Sequence, residues 1–325
     1  MSSEARTITY SPSFTVVPTH ECFNRCGYCN FRAEAGSDWL TPEAARQLLE
    51  PLRRTGVCEI LVLSGEVHPR DRRRGDWFSM IESLCAVALE LGFLPHTNCG
   101  ILSFAEMRAL QQVNCSMGLM LEIESDRLLE SVHRHAPSKI PALRVEQLAW
   151  AGELGIPFTT GLLLGIGETW AEREATLQTI ARLQERYGHI QEVILQPHRP
   201  GGAQHWSGEA LGEAELLETV RLARSILPAE ITLQIPPNLV VDLLPFLEAG
   251  VRDLGGIGPV DVVNPDYAHP LVARLRGNLQ EAGWKLKERL PVYPHLYGRV
   301  PTALRQTLRT HLQSFLDSPI LRKKK

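Results

Sequence analysis

Short apolar runs alternate with longer amphipathic stretches along almost the whole chain. Runs at 13–17, 58–63, 93–97, 116–121, 157–164, 190–195, 231–235 and, briefly, 251–254 have the length and the flanking residues of strands. Between them apolar residues recur at helical spacing over 41–54, 77–91, 103–112, 141–154, 170–186, 213–227 and 239–249. Local chemistry agrees with several of these starts. Thr41-Pro42-Glu43 supplies a cap with proline in the first turn, and Ser103-x-x-Glu106 and Thr169-x-x-Glu172 read as capping boxes. Gly56, Gly92, Gly155, Gly188 and Gly250 fall where helices should stop.

Strand-then-helix order repeated in this way implies parallel strands joined by right-handed crossovers. The expectation is an α/β fold, a TIM-like (β/α) barrel, full with eight strands or partial with six. No glycine-rich linker or shift in composition divides the chain. One barrel domain is expected over residues 10–260, followed by a C-terminal extension, 261–325, packed on the barrel and ending in a solvated basic tail, Arg322-Lys323-Lys324-Lys325. A barrel of this kind builds its site from the loops that follow the strands. The sequence has polar or glycine residues in those places: 22–29 after the first strand and Ser64-Gly65-Glu66 after the second. His96-Thr97-Asn98 ends the third, Glu122 the fourth, Gly165-Ile166-Gly167-Glu168 the fifth, Gln196 the sixth, Pro236-Pro237-Asn238 the seventh and Gly255-Gly256 the last.

Composition narrows the class. The 325 residues are 44% hydrophobic and 22% charged, which argues against disorder, collagen and coiled coil. A net charge of −3 gives no electrostatic reason to expect nucleic acid or an anionic membrane as partner. With no apolar run long enough to span a bilayer and no signal-peptide core, a cytoplasmic protein is expected. The seven cysteines are an odd number in a chain too large to need disulfide staples. Cys58, Cys85, Cys99 and Cys115 read as small buried hydrophobes, whereas the crowded Cys22, Cys26 and Cys29 read as metal ligands or catalytic thiols.

Three thiolates within one short loop, eased round by Asn24 and Gly27, can wrap a single metal centre. A structural zinc site closes with four ligands, commonly two separated pairs. No second cysteine pair exists here; His20 is the candidate for a fourth ligand of a zinc-organised binding module. An iron–sulfur cubane held by three cysteines would instead keep one iron open, a catalytic arrangement.

With Tyr28 directly before the last cysteine, Cys22-x-x-x-Cys26-x-x-Cys29 resembles the signature of radical S-adenosylmethionine (SAM) enzymes. That resemblance implies a [4Fe-4S] cluster on Cys22, Cys26 and Cys29. Its open iron is chelated by the methionine moiety of S-adenosylmethionine, which is cleaved by one electron to a 5′-deoxyadenosyl radical. It also implies that Ser64-Gly65-Glu66 meets the methionine ammonium, which offers only donors. Gly161-x-Leu163-x-Gly165-x-x-Glu168 would pass the adenine, with Tyr28 packed nearby.

A finer resemblance runs along nearly the whole chain. Arg25-Cys26-Gly27-Tyr28-Cys29-x-Phe31-Arg32, Pro95-His96-Thr97-Asn98, Met117-Gly118-Leu119-Met120-Leu121-Glu122 and Ile156-Pro157-Phe158-Thr159-Thr160-Gly161 look like the CofG family. So do Tyr187-Gly188-His189-Ile190-Gln191-Glu192-Val193, Pro236-Pro237-Asn238-Leu239, Asp253-Leu254-Gly255-Gly256-Ile257 and Glu288-Arg289-Leu290-Pro291-Val292-Tyr293-Pro294. CofG is the radical half of 7,8-didemethyl-8-hydroxy-5-deazariboflavin (FO) synthase. The resemblance implies a carbon–nitrogen lyase that cyclises a hydroxybenzyl-ribityliminouracil adduct oxidatively and releases ammonia. It implies a CofH enzyme as functional partner and a one-electron reductant protein. A CofH-like or menaquinone-branch radical enzyme is the neighbouring alternative.

Two stretches depart from that pattern, Pro197-His198-Arg199-Pro200-Gly201-Gly202 and Pro265-Asp266-Tyr267-Ala268-His269-Pro270. Glu122, His96 and Asn98 are the candidate catalytic residues, Glu122 for ribose or substrate hydroxyls; His189, Gln196 and Asn238 are further candidates for substrate contact. The Arg70-Asp71-Arg72-Arg73-Arg74 run reads as a solvated loop or, beside the Gly-Glu element, as a place for the methionine carboxylate or an electron donor.

Overall fold

In the computed structural model, which describes residues 6–317 apart from 203, 205, 207 and 209, eight parallel strands close on themselves. The strands are β1 (Thr7–Val16), β2 (Glu59–Leu63), β3 (Leu94–Asn98), β4 (Ser116–Gly118), β5 (Phe158–Leu164), β6 (Ile190–Pro197), β7 (Thr232–Gln234) and β8 (Asp253–Ile257). They neighbour one another in chain order, and β1 closes the ring by pairing with β2 and β8. The barrel is therefore full, not partial. The basic tail at 322–325 lies outside the described residues.

β1 is long because it serves three neighbours. Its upper part, Ser13 to Val16, lies against β2, while its lower part, Thr7 to Tyr10, carries a ninth parallel strand, β9 (Lys285–Glu288), outside the ring. Only the upper part was apolar enough to be legible; the lower part buries Ile8 and Tyr10 between more polar residues. β4 is shorter than the expected 116–121. Past Gly118 the chain still follows β5, with Glu122 N donating to Gly161 O at 3.1 Å, but Leu121 N donates to the Thr160 hydroxyl instead of to backbone.

The crossovers carry α1 (Pro42–Leu49), α2 (Arg74–Glu90), α3 (Phe104–Gln111), α4 (Pro141–Leu154), α5 (Trp170–Tyr187), α6 (Glu213–Ile226) and α7 (Leu244–Glu248). Both capping boxes form as expected, at Ser103/Glu106 and Thr169/Glu172, and Thr41 accepts from Ala44 N at 3.2 Å. Gly155 and Gly188 close α4 and α5 with φ of +68° and +59°. The helix expected over 239–249 is corrected to the five residues of α7, since Asp242 turns the chain by accepting from Leu244 N at 3.0 Å. Two further helices, α8 (Val272–Glu281) and α9 (Arg305–Asp317), follow the barrel. Among the described residues no helix is long and apolar enough to cross a membrane.

The N-terminal end of the barrel is stoppered by the chain that follows β9. Leu290, Val292, Leu296, Val300, Leu304 and Leu308 pack with Cys58, Leu94 and Cys115. Above this apolar layer Arg289 grips Asp253 at 2.6 and 2.7 Å and Glu192 at 2.9 Å, and Tyr293 OH donates to the same Glu192 oxygen at 2.8 Å. Burial drives the Glu192 carboxyl above its usual range, with Arg289 pulling the other way. Cys58, Cys85, Cys99 and Cys115 are all buried.

Candidate active site

The loop between β1 and α1 brings Cys22, Cys26 and Cys29 to the C-terminal mouth of the barrel, all three free and half-buried. Main-chain bonds hold this loop from two sides. From β2 come Phe23 N to Glu66 O at 3.0 Å and Gly65 N to Thr19 O at 2.8 Å. From the segment after β4 come Arg25 N to His135 O at 2.7 Å and Gly27 N to Val132 O at 2.8 Å. Asn24 does more than ease the turn, for its Oδ1 accepts from Ser138 N at 3.1 Å. His20 is exposed and hydrogen-bonds Phe31 O at 3.0 Å, away from a ligand role.

Burial pushes the Cys26 thiol up to about 12; Lys139 pulls against it, while Cys29, Glu122 and Cys22 add to the rise. Burial and then Glu66 raise Cys22 as well. Thiols in such a setting become thiolates only when a cationic centre replaces their protons. Among the described residues no three His, Cys, Asp or Glu side chains converge closely enough to hold one metal ion. Three cysteine thiols on one loop are a soft, all-sulfur donor set of the kind an iron–sulfur cluster takes. The donor set fits an iron–sulfur cluster.

Gly65 is required by proximity, since a Cβ there would lie 2.0 Å from Glu21 O in the cysteine loop. Ser64 Oγ donates to Gly65 O at 2.8 Å and accepts from Trp77 Nε1 at 3.1 Å, so it shapes the loop. The buried Glu66 carboxylate accepts from Ile101 N at 3.3 Å and lies against Gly100. The half-buried Tyr28 shares its hydroxyl with His133 Nε2 at 3.1 Å.

Glu122 is the one non-glycine residue with positive φ, +64°, among the described residues. Holding it there costs about 1–3 kcal/mol. The turn aims its carboxylate at Lys139 Nζ, 2.5 Å away, with Arg144 at 3.8 Å. Burial opposes ionisation of Glu122, but Lys139 and Arg144 outweigh it and hold the carboxyl below its usual range. Arg144 is itself buried and donates to Met120 O at 2.7 Å. Lys139, Arg144 and His133 were not found from the sequence, where no spacing marks them; the turn after β4 brings Glu122 to them through space.

The fifth-strand motif is mainly architectural. A Cβ on Gly161 would come within 2.4 Å of Ile194 O on β6. Glu168, its side chain fully shielded, accepts from Gly165 N at 2.8 Å and Ile166 N at 2.9 Å and pairs with Arg173 at 2.7 Å, folding the Gly165 turn.

A cavity of about 180 Å³ runs down the barrel lumen and is lined by His96, Asn98, Gln196 and Asn238 together with Met120 and Asp261. Glu122 does not line it and stands instead beside the cysteines. His189 is corrected as a substrate contact: it is buried outside the lumen with Nε2 on Leu148 O at 2.9 Å. His96 donates or accepts at Ser116 Oγ, 2.7 Å away, and burial, helped by Arg289, pushes it down to about 3, so the ring is neutral. Asn238 Nδ2 donates to Asp261 Oδ2 and Tyr267 O, both at 2.9 Å. The two departing stretches meet across this mouth, with Tyr267 OH on Pro200 O at 2.9 Å and Gly202 N on Asp266 Oδ2 at 3.1 Å. The arginine run is only partly solvated. Arg74 is tied to Glu106 at 2.8 and 2.9 Å and Arg73 to Glu21 at 2.9 Å, leaving Arg70 and Arg72 exposed.

Residues 16–180 match the radical SAM superfamily. A solved structure with a similar fold is the FeFe-hydrogenase maturase HydG from Carboxydothermus hydrogenoformans, at a TM-score of 0.72 and 16% identity over 98% of this chain and 80% of that one. The barrel with its cysteine loop thus defines a radical SAM enzyme. Among curated relatives, the 7,8-didemethyl-8-hydroxy-5-deazariboflavin synthase of Gloeobacter violaceus is 75% identical over 94% of this chain and 96% of its own length. That of Trichormus variabilis is 59% identical over 93% and 90%. The chain belongs to the 7,8-didemethyl-8-hydroxy-5-deazariboflavin synthase family, of the CofG type. Membership sets aside the zinc-organised module.

Proposed function

We propose that the chain is the cyclising half of FO synthesis, converting the hydroxybenzyl-ribityliminouracil adduct to 7,8-didemethyl-8-hydroxy-5-deazariboflavin with release of ammonia. Cys22, Cys26 and Cys29 would hold one [4Fe-4S] cluster per chain. Ser64, Gly65 and Glu66 would border the methionine end of S-adenosylmethionine, and Tyr28, Gly161, Gly165 and Glu168 its adenosine, Glu168 acting through the turn it folds. When bound, this pair of cofactors supplies hydrogen-atom abstraction by a carbon-centred radical.

The chain's own residues do the rest. Glu122, ionised and aimed by its strained backbone, would accept from ribose hydroxyls. His96, Asn98, Gln196 and Asn238 would orient the adduct; the neutral His96 ring exchanges hydrogen bonds without adding charge to the lumen. The enclosing barrel keeps water from a reactive species. A CofH enzyme would supply the adduct, a one-electron reductant protein the reducing equivalent, and the cytoplasm the setting. The barrel would span 10–260, and the described part of the extension, 261–317, would cover it.

The observation that carries this reading is the gathering of three free thiols on one loop at the mouth of a polar lumen, with burial raising the proton affinity of Cys22 and Cys26. The test is anaerobic incubation of the reconstituted protein with reductant, S-adenosylmethionine and the adduct. A fluorescent deazaflavin is the expected product; none formed by a verifiably reduced protein contradicts the reading, and product from tyrosine and the aminouracil instead would make it CofH-like.

A further inference from the structure

We propose that the Lys139 ammonium, half of an ion pair with Glu122, acts as a fixed charge on the cysteine loop and raises the reduction potential of the cluster proposed for it. The inference rests on the reading of Cys22, Cys26 and Cys29 as ligands of that cluster. It concerns how easily the cluster takes up an electron.

The chain places Lys139 deliberately. Residues 132–138 wrap the cysteine loop, clasping it at Gly27, Arg25 and Asn24. The last clasp, Ser138 N on Asn24 Oδ1, is one residue before Lys139, so the root of the lysine stem is fixed to the loop it overlooks. Its Nζ stands 5.9 Å from the centroid of the Tyr28 ring, next in sequence to Cys29. Only 12% of the side chain is exposed, so solvent and salt screen its charge weakly. Lys139 is also the leading charge that favours the Cys26 thiolate.

Neutralising Glu122 does not by itself account for the lysine. The buried Arg144 guanidinium already lies 3.8 Å from the same carboxylate oxygen. Two cations therefore face the Glu122 carboxylate, with the buried Glu66 carboxylate acting on Lys139 from further off, and Lys139 is the cation that stands over the Tyr28 ring. Reduction adds one negative charge to a cluster already carrying thiolates. A nearby cation stabilises the reduced form more than the oxidised one, and a nearby anion does the opposite. Lys139 and Glu122 should act with opposite sign.

The test is a redox titration of the reconstituted holoprotein, followed by electron paramagnetic resonance (EPR) without S-adenosylmethionine, so that changes in its binding do not enter. Iron and sulfide are counted for every variant. Lys139→Met should move the midpoint to more negative potential, Glu122→Gln to less negative, and the double variant back toward wild type; Lys139→Arg should restore the wild-type value. No shift in Lys139→Met, or shifts of the same direction in both single variants, overturns the proposal, the latter meaning a disturbed loop. Should Lys139→Met fail to hold a cluster, Glu122→Gln decides: without an upward shift the proposal falls. Wild-type protein that takes up no cubane overturns the cysteine assignment beneath it, an outcome distinct from a loaded cluster whose potential ignores both charges.

Discussion

Gly65 and Glu21 approach each other so closely that a single added carbon on Gly65 would sit 2.0 Å from the Glu21 carbonyl oxygen. The obstacle is backbone, which cannot swing aside as a side-chain tip can. Gly65→Ala should therefore displace the cysteine loop and cost about 1–3 kcal/mol, the usual penalty of overpacking. Iron content after reconstitution, together with chemical denaturation, measures both effects, and a variant that keeps full iron and wild-type stability would contradict the contact.

Arg289 grips both Asp253 and Glu192 in the barrel floor. Arg289→Met would leave two buried carboxyls without their cation, for which a loss of about 3–5 kcal/mol is expected. Urea denaturation reads it. A loss under about 1 kcal/mol would mean that the floor rearranges around the change, as replaceable buried pairs do.

His96 gives a dependence on pH. Its folded form stays neutral because burial and Arg289 push it down to about 3, whereas the unfolded ring takes a proton near its ordinary value. Below that value the unfolded state binds more protons, so the stability His96 contributes is complete above it and declines as pH falls toward 3. From pH 6.5 to 5.5 the decline is about 1 kcal/mol for one such ring. His96→Gln should lose about that much less than wild type over the same step; an identical decline would show that His96 does not titrate this way.

At Glu122 the backbone conformation suits glycine better than any side chain. Glu122→Gly should be more stable than Glu122→Ala by about 1 kcal/mol, although both lose the carboxylate that faces Lys139. Equal stabilities by denaturation would remove the strain argument.

These positions also show what could be known from the sequence. β5 was legible because a strand buried on both faces carries no charged side chain from Phe158 to Leu164, and the capping boxes because a cap is made of residues three apart. The cysteine loop was legible for the same reason, since its donors are neighbours in the chain. Lys139, Arg144 and Arg289 were not, because each takes its meaning from a carboxylate that only the fold brings to it, Glu122 for the first two and Asp253 and Glu192 for the third. β9 was missed since Leu286 is its only buried residue, too little for a pattern. His189 misled because a polar residue at a strand's start looks the same in sequence whether it faces the lumen or a helix.

The most direct test of the account is EPR of anaerobically reduced, reconstituted protein with and without S-adenosylmethionine. A [4Fe-4S] signal of about one cluster per chain, altered when S-adenosylmethionine is added and abolished in Cys26→Ala, is the predicted result. A cluster signal indifferent to saturating S-adenosylmethionine, or one that survives loss of Cys26, would contradict it.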